Sequence, residues 1–119
     1  MKKCGYLEVI AGPMYCGKTE ELIRQVKRAT IGKKKVIVFK HAIDTRYGTD
    51  HKLYSHSGIS FKSIVIKHPK GMLKHIKSST YMVAIDEAQW FGEELTEVVQ
   101  TLLDLQKHVI VAGLAMTFD

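Results

Sequence analysis

Eight consecutive residues near the start of the chain have the types and spacing of a phosphate-binding loop. They match G-x-x-x-x-G-K-[ST] at each fixed position, and they are Gly12, Pro13, Met14, Tyr15, Cys16, Gly17, Lys18 and Thr19. In such a loop the backbone N–H groups point inward at a triphosphate, and the amino terminus of the following helix adds a partial positive charge. We expect Lys18 to reach the β- and γ-phosphates and the Thr19 hydroxyl to ligate magnesium.

Two adjacent carboxylates form the second candidate group. Asp86 and Glu87 directly follow an apolar run at residues 81–85. In phosphate-loop proteins a carboxylate at the end of a buried strand positions magnesium, so we assign Asp86 to the metal. Glu87 then becomes the candidate general base, because adjacent carboxylates can divide these two tasks. Without the upstream loop, an Asp-Glu pair would be interpreted as a surface turn.

The surrounding sequence alternates between predicted strands and helices. Compact apolar runs predict buried strands at residues 7–11, 36–39, 63–66, 81–85 and 109–112. Apolar residues at three- and four-residue steps predict helices at residues 18–31, 72–76 and 93–105. Residues 41–60 are polar and predict a long loop, with room for a hairpin. This order predicts an α/β fold, a P-loop NTPase sandwich with a mainly parallel sheet flanked by helices.

Composition indicates one globular domain covering residues 1–119, with 45% hydrophobic and 25% charged residues. The longest apolar stretch, residues 109–116, is far shorter than the roughly 18 residues that span a bilayer, so we expect no membrane partner and a cytoplasmic location. Cys4 and Cys16 are too few for a disulfide framework or a four-thiolate zinc site. The place of Cys16 inside the phosphate loop makes it a spacer rather than a catalytic thiol.

The net charge of +6 and the pI of about 9.3 suit an anionic partner, which could be a nucleotide, a nucleic acid or an acidic surface. The lysines are spread along the chain, so solvation alone explains them equally well. Charge therefore does not separate these alternatives.

Four stretches give the chain a more specific character. They are Gly12-Pro13-Met14 before Tyr15, Asp44-Thr45-Arg46-Tyr47, Ser55-His56-Ser57-Gly58, and Asp86-Glu87-Ala88-Gln89-Trp90-Phe91. Together they resemble the type II thymidine kinase family, found in many bacteria, large DNA viruses and animal cytosol. The resemblance runs over residues 7–118 and concerns the amino-terminal P-loop domain of that family.

The resemblance implies a role for each matching residue. Glu87 would take the proton of the thymidine 5′-hydroxyl as that hydroxyl attacks the γ-phosphate of ATP. Lys18, Arg46 and magnesium would stabilise the negative charge that develops on the transferred phosphate. The resemblance also places further residues in the site. Asp44, Ala88 and Gln89 would line the cofactor side, and the nucleoside pocket would be lined by Met14, Trp90, Leu114 and Phe118. Without the family, residues 44–46 would be an exposed turn, His56 a solvated loop residue and the pocket residues ordinary core packing.

The sequence departs from the family pattern in two respects. Ala115 follows Leu114 where members usually have Asp, which weakens any role for that carboxylate. The family continues with a zinc-bearing subdomain and a lasso-like loop over the base. We expect both, and the structural zinc, to be absent from these 119 residues.

The predicted function is therefore ATP- and magnesium-dependent phosphorylation of thymidine, and the resemblance implies a homodimer or homotetramer. One alternative is a truncated P-loop domain that binds nucleotide without transferring phosphate. A second is a nucleic-acid-dependent ATPase, since P-loop cores also drive strand separation. The absence of an aromatic and basic single-strand platform in the sequence, and the match at residues 44–47, argue against a nucleic-acid partner.

Overall fold

The computed structural model describes residues 5–11, 18–41, 52–54 and 60–113. The strands within these ranges are β1 Tyr6–Ala11, β2 Val36–His41, β3 Lys52–Tyr54, β4 Ser60–Lys62, β5 Ile64–Ile66, β6 Met82–Ile85 and β7 His108–Gly113. The α-helices are α1 Lys18–Ile31 and α2 Glu94–Asp104. Two short 3₁₀ helices complete the elements, η1 Pro69–His75 and η2 Ala88–Phe91.

Five of the strands form one parallel sheet in the order β1-β7-β6-β2-β5, and β3 pairs with β4 in a separate antiparallel hairpin. Parallel strands need crossover connections, and α1 supplies the crossover from β1 to β2. Because all five strands run the same way, their carboxyl ends meet at one edge of the sheet. We call this the carboxyl edge.

The two helices cover opposite faces of the sheet. Residues that alternate along the strands divide into two buried clusters. The α1 cluster joins Val38, Ala84 and Ile110 to the apolar side of that helix, which consists of Leu22, Ile23, Val26 and Ala29. The α2 cluster joins Phe39, Ile85 and Val111 to the apolar side of α2, which consists of Leu95, Val98, Val99 and Leu102. A given strand residue can therefore be assigned to the α1 face or the α2 face from its position.

The fold class predicted from sequence is confirmed, and α1 has the predicted bounds. The hairpin inside residues 41–60 is confirmed in part, since β3 lies there and β4 begins at residue 60. The prediction that the loop begins at residue 41 is wrong. His41 is the last residue of β2, and it pairs with Ile66 of β5. The short helix at 72–76 is a 3₁₀ helix at Pro69–His75. η2 was not predicted.

The prediction that the lysines are exposed to solvent is wrong for two of them. Lys40 is 4% exposed and Lys107 is also buried. The Lys107 ammonium donates hydrogen bonds of 3.0 and 3.2 Å to the backbone oxygens of Lys77 and Ser78, which compensates its burial. None of the helices in the described ranges is both long and apolar enough to cross a membrane.

Candidate functional site

The elements that flank the two sequence motifs meet at the carboxyl edge. The phosphate-loop residues follow β1 and lead into α1, while Asp86 and Glu87 follow β6. Only β7 lies between β1 and β6 in the sheet. Neighbouring strands are about 4.8 Å apart, so the ends of β1 and β6 are roughly 10 Å apart. Asp86 and Glu87 therefore lie at the same edge of the sheet as the end of β1 and the start of α1.

Asp86 extends the hydrogen-bonding pattern of β6 by one residue. Its N–H donates to the Phe39 carbonyl at 3.0 Å. Ile85 belongs to the α2 face and Ala84 to the α1 face, so alternation places Asp86 on the α1 face. Asp86 is only 5% exposed and therefore lies in the layer where α1 begins. A carboxylate in this layer is suited to a cation bound near the first turn of α1.

A buried cation lies next to Asp86 in the sheet. Phe39 pairs with Ile85, so the following residues, Lys40 and Asp86, are neighbours on the same face. Buried lysines and aspartates are rare in proteins unless opposite charges or ligands compensate them. The carboxyl edge thus concentrates charge inside an otherwise apolar layer.

Glu87 turns the chain out of the sheet through an unusual backbone conformation. Its φ of 51° and ψ of 45° lie in the left-handed region, which costs a residue with a side chain roughly 1–2 kcal/mol. The Glu87 carbonyl accepts a hydrogen bond of 3.2 Å from the Trp90 N–H, which closes η2. Backbone strain of this kind is common at functional sites, where surrounding contacts maintain it.

The side chain of Glu87 is oriented by its neighbour two residues on. The Gln89 amide Nε2 donates a hydrogen bond of 2.7 Å to Glu87 Oε2. Both side chains are half-buried, whereas Trp90 is 51% exposed on the same turn. The arrangement presents a fixed carboxylate beside an accessible indole ring.

η2 is attached to the protein core at both ends. Ala88 is fully buried, and Phe91 is 6% exposed within the α2 cluster. Gly92 ends the turn with φ 73° and ψ −164°, a conformation that favours glycine. The position of Glu87 is therefore determined by packing at Ala88 and Phe91.

His41 is a residue of this edge that the sequence did not reveal. Its ring meets the ring of Phe91 with centroids 4.7 Å apart and planes at 64°. Burial lowers the pKa of the His41 imidazole, with smaller contributions in the same direction from the nearby charges of His68 and Lys67. A hydrogen bond to the Lys67 backbone raises the same pKa. The one feature of the sequence that could have pointed to His41 is its position just after the apolar run at residues 36–39.

The structure brings together one group of the predicted site residues. Asp86, Glu87, Ala88, Gln89 and Trp90 lie on one continuous segment at the carboxyl edge. Lys18 and Thr19 begin α1 at that edge, but their side chains lie outside the described part of the chain. The remaining predicted residues also lie outside it, namely Gly12, Pro13, Met14, Tyr15, Cys16, Gly17, Asp44, Arg46, His56, Leu114, Ala115 and Phe118.

The carboxylate of Asp86 is a donor of the kind that magnesium uses. Within the described ranges there is no group of three or more His, Cys, Asp or Glu residues that could hold a metal ion. Magnesium does not need such a group, since it commonly takes one or two carboxylates together with substrate phosphates and water. The buried Asp86 could supply one such carboxylate.

The chain is similar over most of its length to a known protein family. Residues 5–119 match the family model described as thymidine kinase. The matched region includes the phosphate loop, residues 44–47 and the segment from Asp86 to Phe91.

Proposed function

Because this chain belongs to the thymidine kinase family, we propose that it transfers the γ-phosphate of ATP to the 5′-hydroxyl of thymidine, giving dTMP and ADP. One structural observation carries the proposal beyond family membership. The start of α1 and the Asp86-Glu87 pair lie at the same edge of a parallel sheet with one strand between them. Open α/β sheets bind ligands at this edge.

The phosphate loop holds the triphosphate in this proposal. Backbone N–H groups of residues 12–17 and the amino terminus of α1 face the phosphates, which carry negative charge. Lys18 spans the β- and γ-phosphates, and Arg46 helps to neutralise charge on the transferred group. Asp44 and Ala88 contribute to the lining on the phosphate side.

Asp86 and the Thr19 hydroxyl hold magnesium in this proposal. A magnesium ion held there would neutralise negative charge on the triphosphate. The burial of Asp86 on the α1 face supports its assignment, because the carboxylate then faces the layer in which α1 begins.

Glu87 accepts the proton of the thymidine 5′-hydroxyl. The hydroxyl oxygen attacks the γ-phosphorus, the bond from that phosphorus to the β,γ-bridging oxygen breaks, and ADP leaves. The Gln89 hydrogen bond supports the role of Glu87, since it fixes the carboxylate orientation that a general base needs. Met14, Trp90, Leu114 and Phe118 line the nucleoside pocket, and the accessible indole of Trp90 suits contact with a flat base.

The test of the phosphate loop is Lys18→Ala, with ATP affinity measured by calorimetry in the presence of magnesium. Loss of a charged hydrogen-bonding group should weaken ATP binding by about 10- to 100-fold. Lys27→Ala is the matched control, because Lys27 is an exposed lysine on the same helix. Wild-type affinity in Lys18→Ala would remove the assignment.

The reaction itself is tested by incubating the chain with ATP, magnesium and thymidine and quantifying dTMP and ADP. Equal amounts of both products support the proposal. ATP binding without dTMP would favour the nucleotide-binding alternative. ADP release that depends on single-stranded DNA, again without dTMP, would favour the ATPase.

The family relationship also supports a homodimer or homotetramer acting in the cytoplasm.

A further inference from the structure

His41 ends the strand that neighbours the segment of the proposed base. It is the last residue of β2, and β2 pairs with β6, the strand that precedes Asp86 and Glu87. Alternation puts His41 on the α2 face with Phe39. Its ring there contacts Phe91, the last residue of η2, in an edge-on arrangement at 4.7 Å.

The His41 ring has a second contact, with the chain beyond β5. The ring hydrogen-bonds the backbone of Lys67, which follows the last residue of β5. Because this bond raises the pKa, it favours the protonated ring, as expected when an imidazole N–H donates to a carbonyl. His41 therefore connects the end of β5 to η2.

η2 needs such support for a physical reason. A 3₁₀ helix of four residues has few hydrogen bonds of its own, and their geometry is poorer than in an α-helix. The residue that precedes it, Glu87, has a strained backbone that persists only when neighbouring contacts maintain it. Phe91 is the large buried side chain of the turn, so contacts to its ring control where the turn lies.

We propose that His41 is a positioning residue for Glu87, acting through the ring of Phe91 to hold η2 in place. The inference rests on the proposed function for the role of Glu87. It adds that the contact between β2 and η2 keeps Glu87 and Gln89 in the geometry required for proton transfer.

The kinetic test is a double-mutant cycle. His41→Ala should lower kcat by about tenfold while the KM for ATP changes little, because small displacements of reacting groups are costly. In a Glu87→Gln background the same substitution should have almost no further effect, since there is then no base to position. His75→Ala is the control, because the His75 ring meets the ring of Phe39 in β2, with centroids 5.9 Å apart. A full tenfold loss from His41→Ala in the Glu87→Gln background overturns the proposal.

A second measurement does not depend on catalysis. Trp90 is the single tryptophan of the chain and lies between Gln89 and Phe91 on η2. His41→Ala should increase quenching of its fluorescence by acrylamide, whereas His41→Phe, which keeps a ring against Phe91, should restore most of the protection. Circular dichroism at the same temperature checks that each variant is folded. Unchanged quenching in folded His41→Ala overturns the proposed support of η2, whether or not the chain makes dTMP.

Failure of the proposed function gives a different pattern. In that case wild-type chain yields no dTMP, while the quenching difference between His41→Ala and His41→Phe persists. The role of Glu87 as base then fails together with the positioning role, although the structural contact stands.

Discussion

The Gln89 side chain donates a hydrogen bond of 2.7 Å to the carboxylate of Glu87, two residues before it in the chain. Such a short sequence separation brings the two side chains together only because Glu87 adopts the left-handed conformation and η2 begins directly after it. The strained backbone and the side-chain hydrogen bond thus belong to one local structure.

Replacing Gln89 with Leu should lower kcat by about tenfold with little change in ATP affinity. A hydrogen bond to a charged group contributes roughly 1.5–3 kcal/mol, and part of that keeps the carboxylate oriented. Gln100→Leu is a matched control, since Gln100 donates a hydrogen bond of 3.1 Å to Asp104 on the exposed side of α2. Steady-state kinetics on both variants test this. Equal kcat in Gln89→Leu and Gln100→Leu would contradict an orienting role.

Replacing Glu87 with Gln should lower turnover by about 10²- to 10⁴-fold, because the shape of the side chain is kept while the proton acceptor is lost. ATP affinity by calorimetry should stay close to wild type. The control is Glu97→Gln on the exposed surface of α2. Normal turnover in Glu87→Gln would place the base elsewhere, and Asp44 would be the next candidate.

Replacing Asp86 with Asn should raise the magnesium concentration needed for half-maximal activity. An amide is a weaker ligand for a hard cation than a carboxylate, and it no longer balances the ion's charge. Magnesium titrations at saturating ATP and thymidine measure the effect, with the exposed Asp104→Asn as control. An unchanged titration curve would separate Asp86 from the metal.

Much of the fold could be predicted because burial imposes a regular pattern. The apolar positions of α1 recur with helical spacing, and parallel strands covered on both faces have compact apolar runs. The sequence predicts a loop from His41, because a polar residue after an apolar run normally marks the end of a strand. In the structure the strand continues, since the backbone of His41 pairs with Ile66.

The candidate site could be predicted from the sequence only at residues that belong to a recognisable motif. The positions of Asp86 and Glu87 followed from the end of an apolar strand. η2 has four residues, too few to show a period, and the torsion angles of Glu87 depend on contacts of Ala88 and Phe91. Such contacts exist only after distant segments have packed together.

Gly5 should not tolerate a side chain. A Cβ atom there would lie 2.9 Å from both Cα and the carbonyl oxygen of Leu103, and closer still to the carbonyl oxygen of Lys107. Gly5 also donates a 2.9 Å hydrogen bond to the Leu103 carbonyl, so the backbone cannot move away freely. Gly5→Ala should therefore lower the free energy of unfolding by about 1–3 kcal/mol in urea titrations.

Gly71→Ala is the control for that measurement. No heavy atom of the described chain lies within 4 Å of a Cβ placed at Gly71. The free energy of unfolding of Gly71→Ala should therefore differ from that of the wild type by no more than about 0.5 kcal/mol. Equal stability of the two alanine variants would show that the start of β1 adjusts without cost.

His108 occupies a half-buried position at the opposite end of the sheet from the candidate site. Its ring meets Tyr6 and Tyr81 edge-on, with centroids 5.0 and 6.1 Å apart. His108 Nε2 is buried and has no hydrogen-bond partner among the residues described. Burial lowers the pKa of this imidazole, and the charge of Glu8 offsets part of the effect. The folded protein therefore holds His108 neutral at pH values where the unfolded chain begins to bind a proton.

Replacing His108 with Phe should make stability less dependent on pH between about 7 and 5. In the wild type, the unfolded chain protonates His108 near pH 6.5 and the folded chain only at lower pH, so stability falls through this window and levels off below the folded pKa. His41, whose pKa is also lowered, contributes in the same direction and leaves a residual slope in the variant. Thermal unfolding at pH 7 and 5.5 measures the difference in Tm. Tyr81→Phe keeps the ring contact and the histidine, and should retain the wild-type slope. A His108→Phe slope equal to that of Tyr81→Phe would show that His108 does not control this part of the pH dependence.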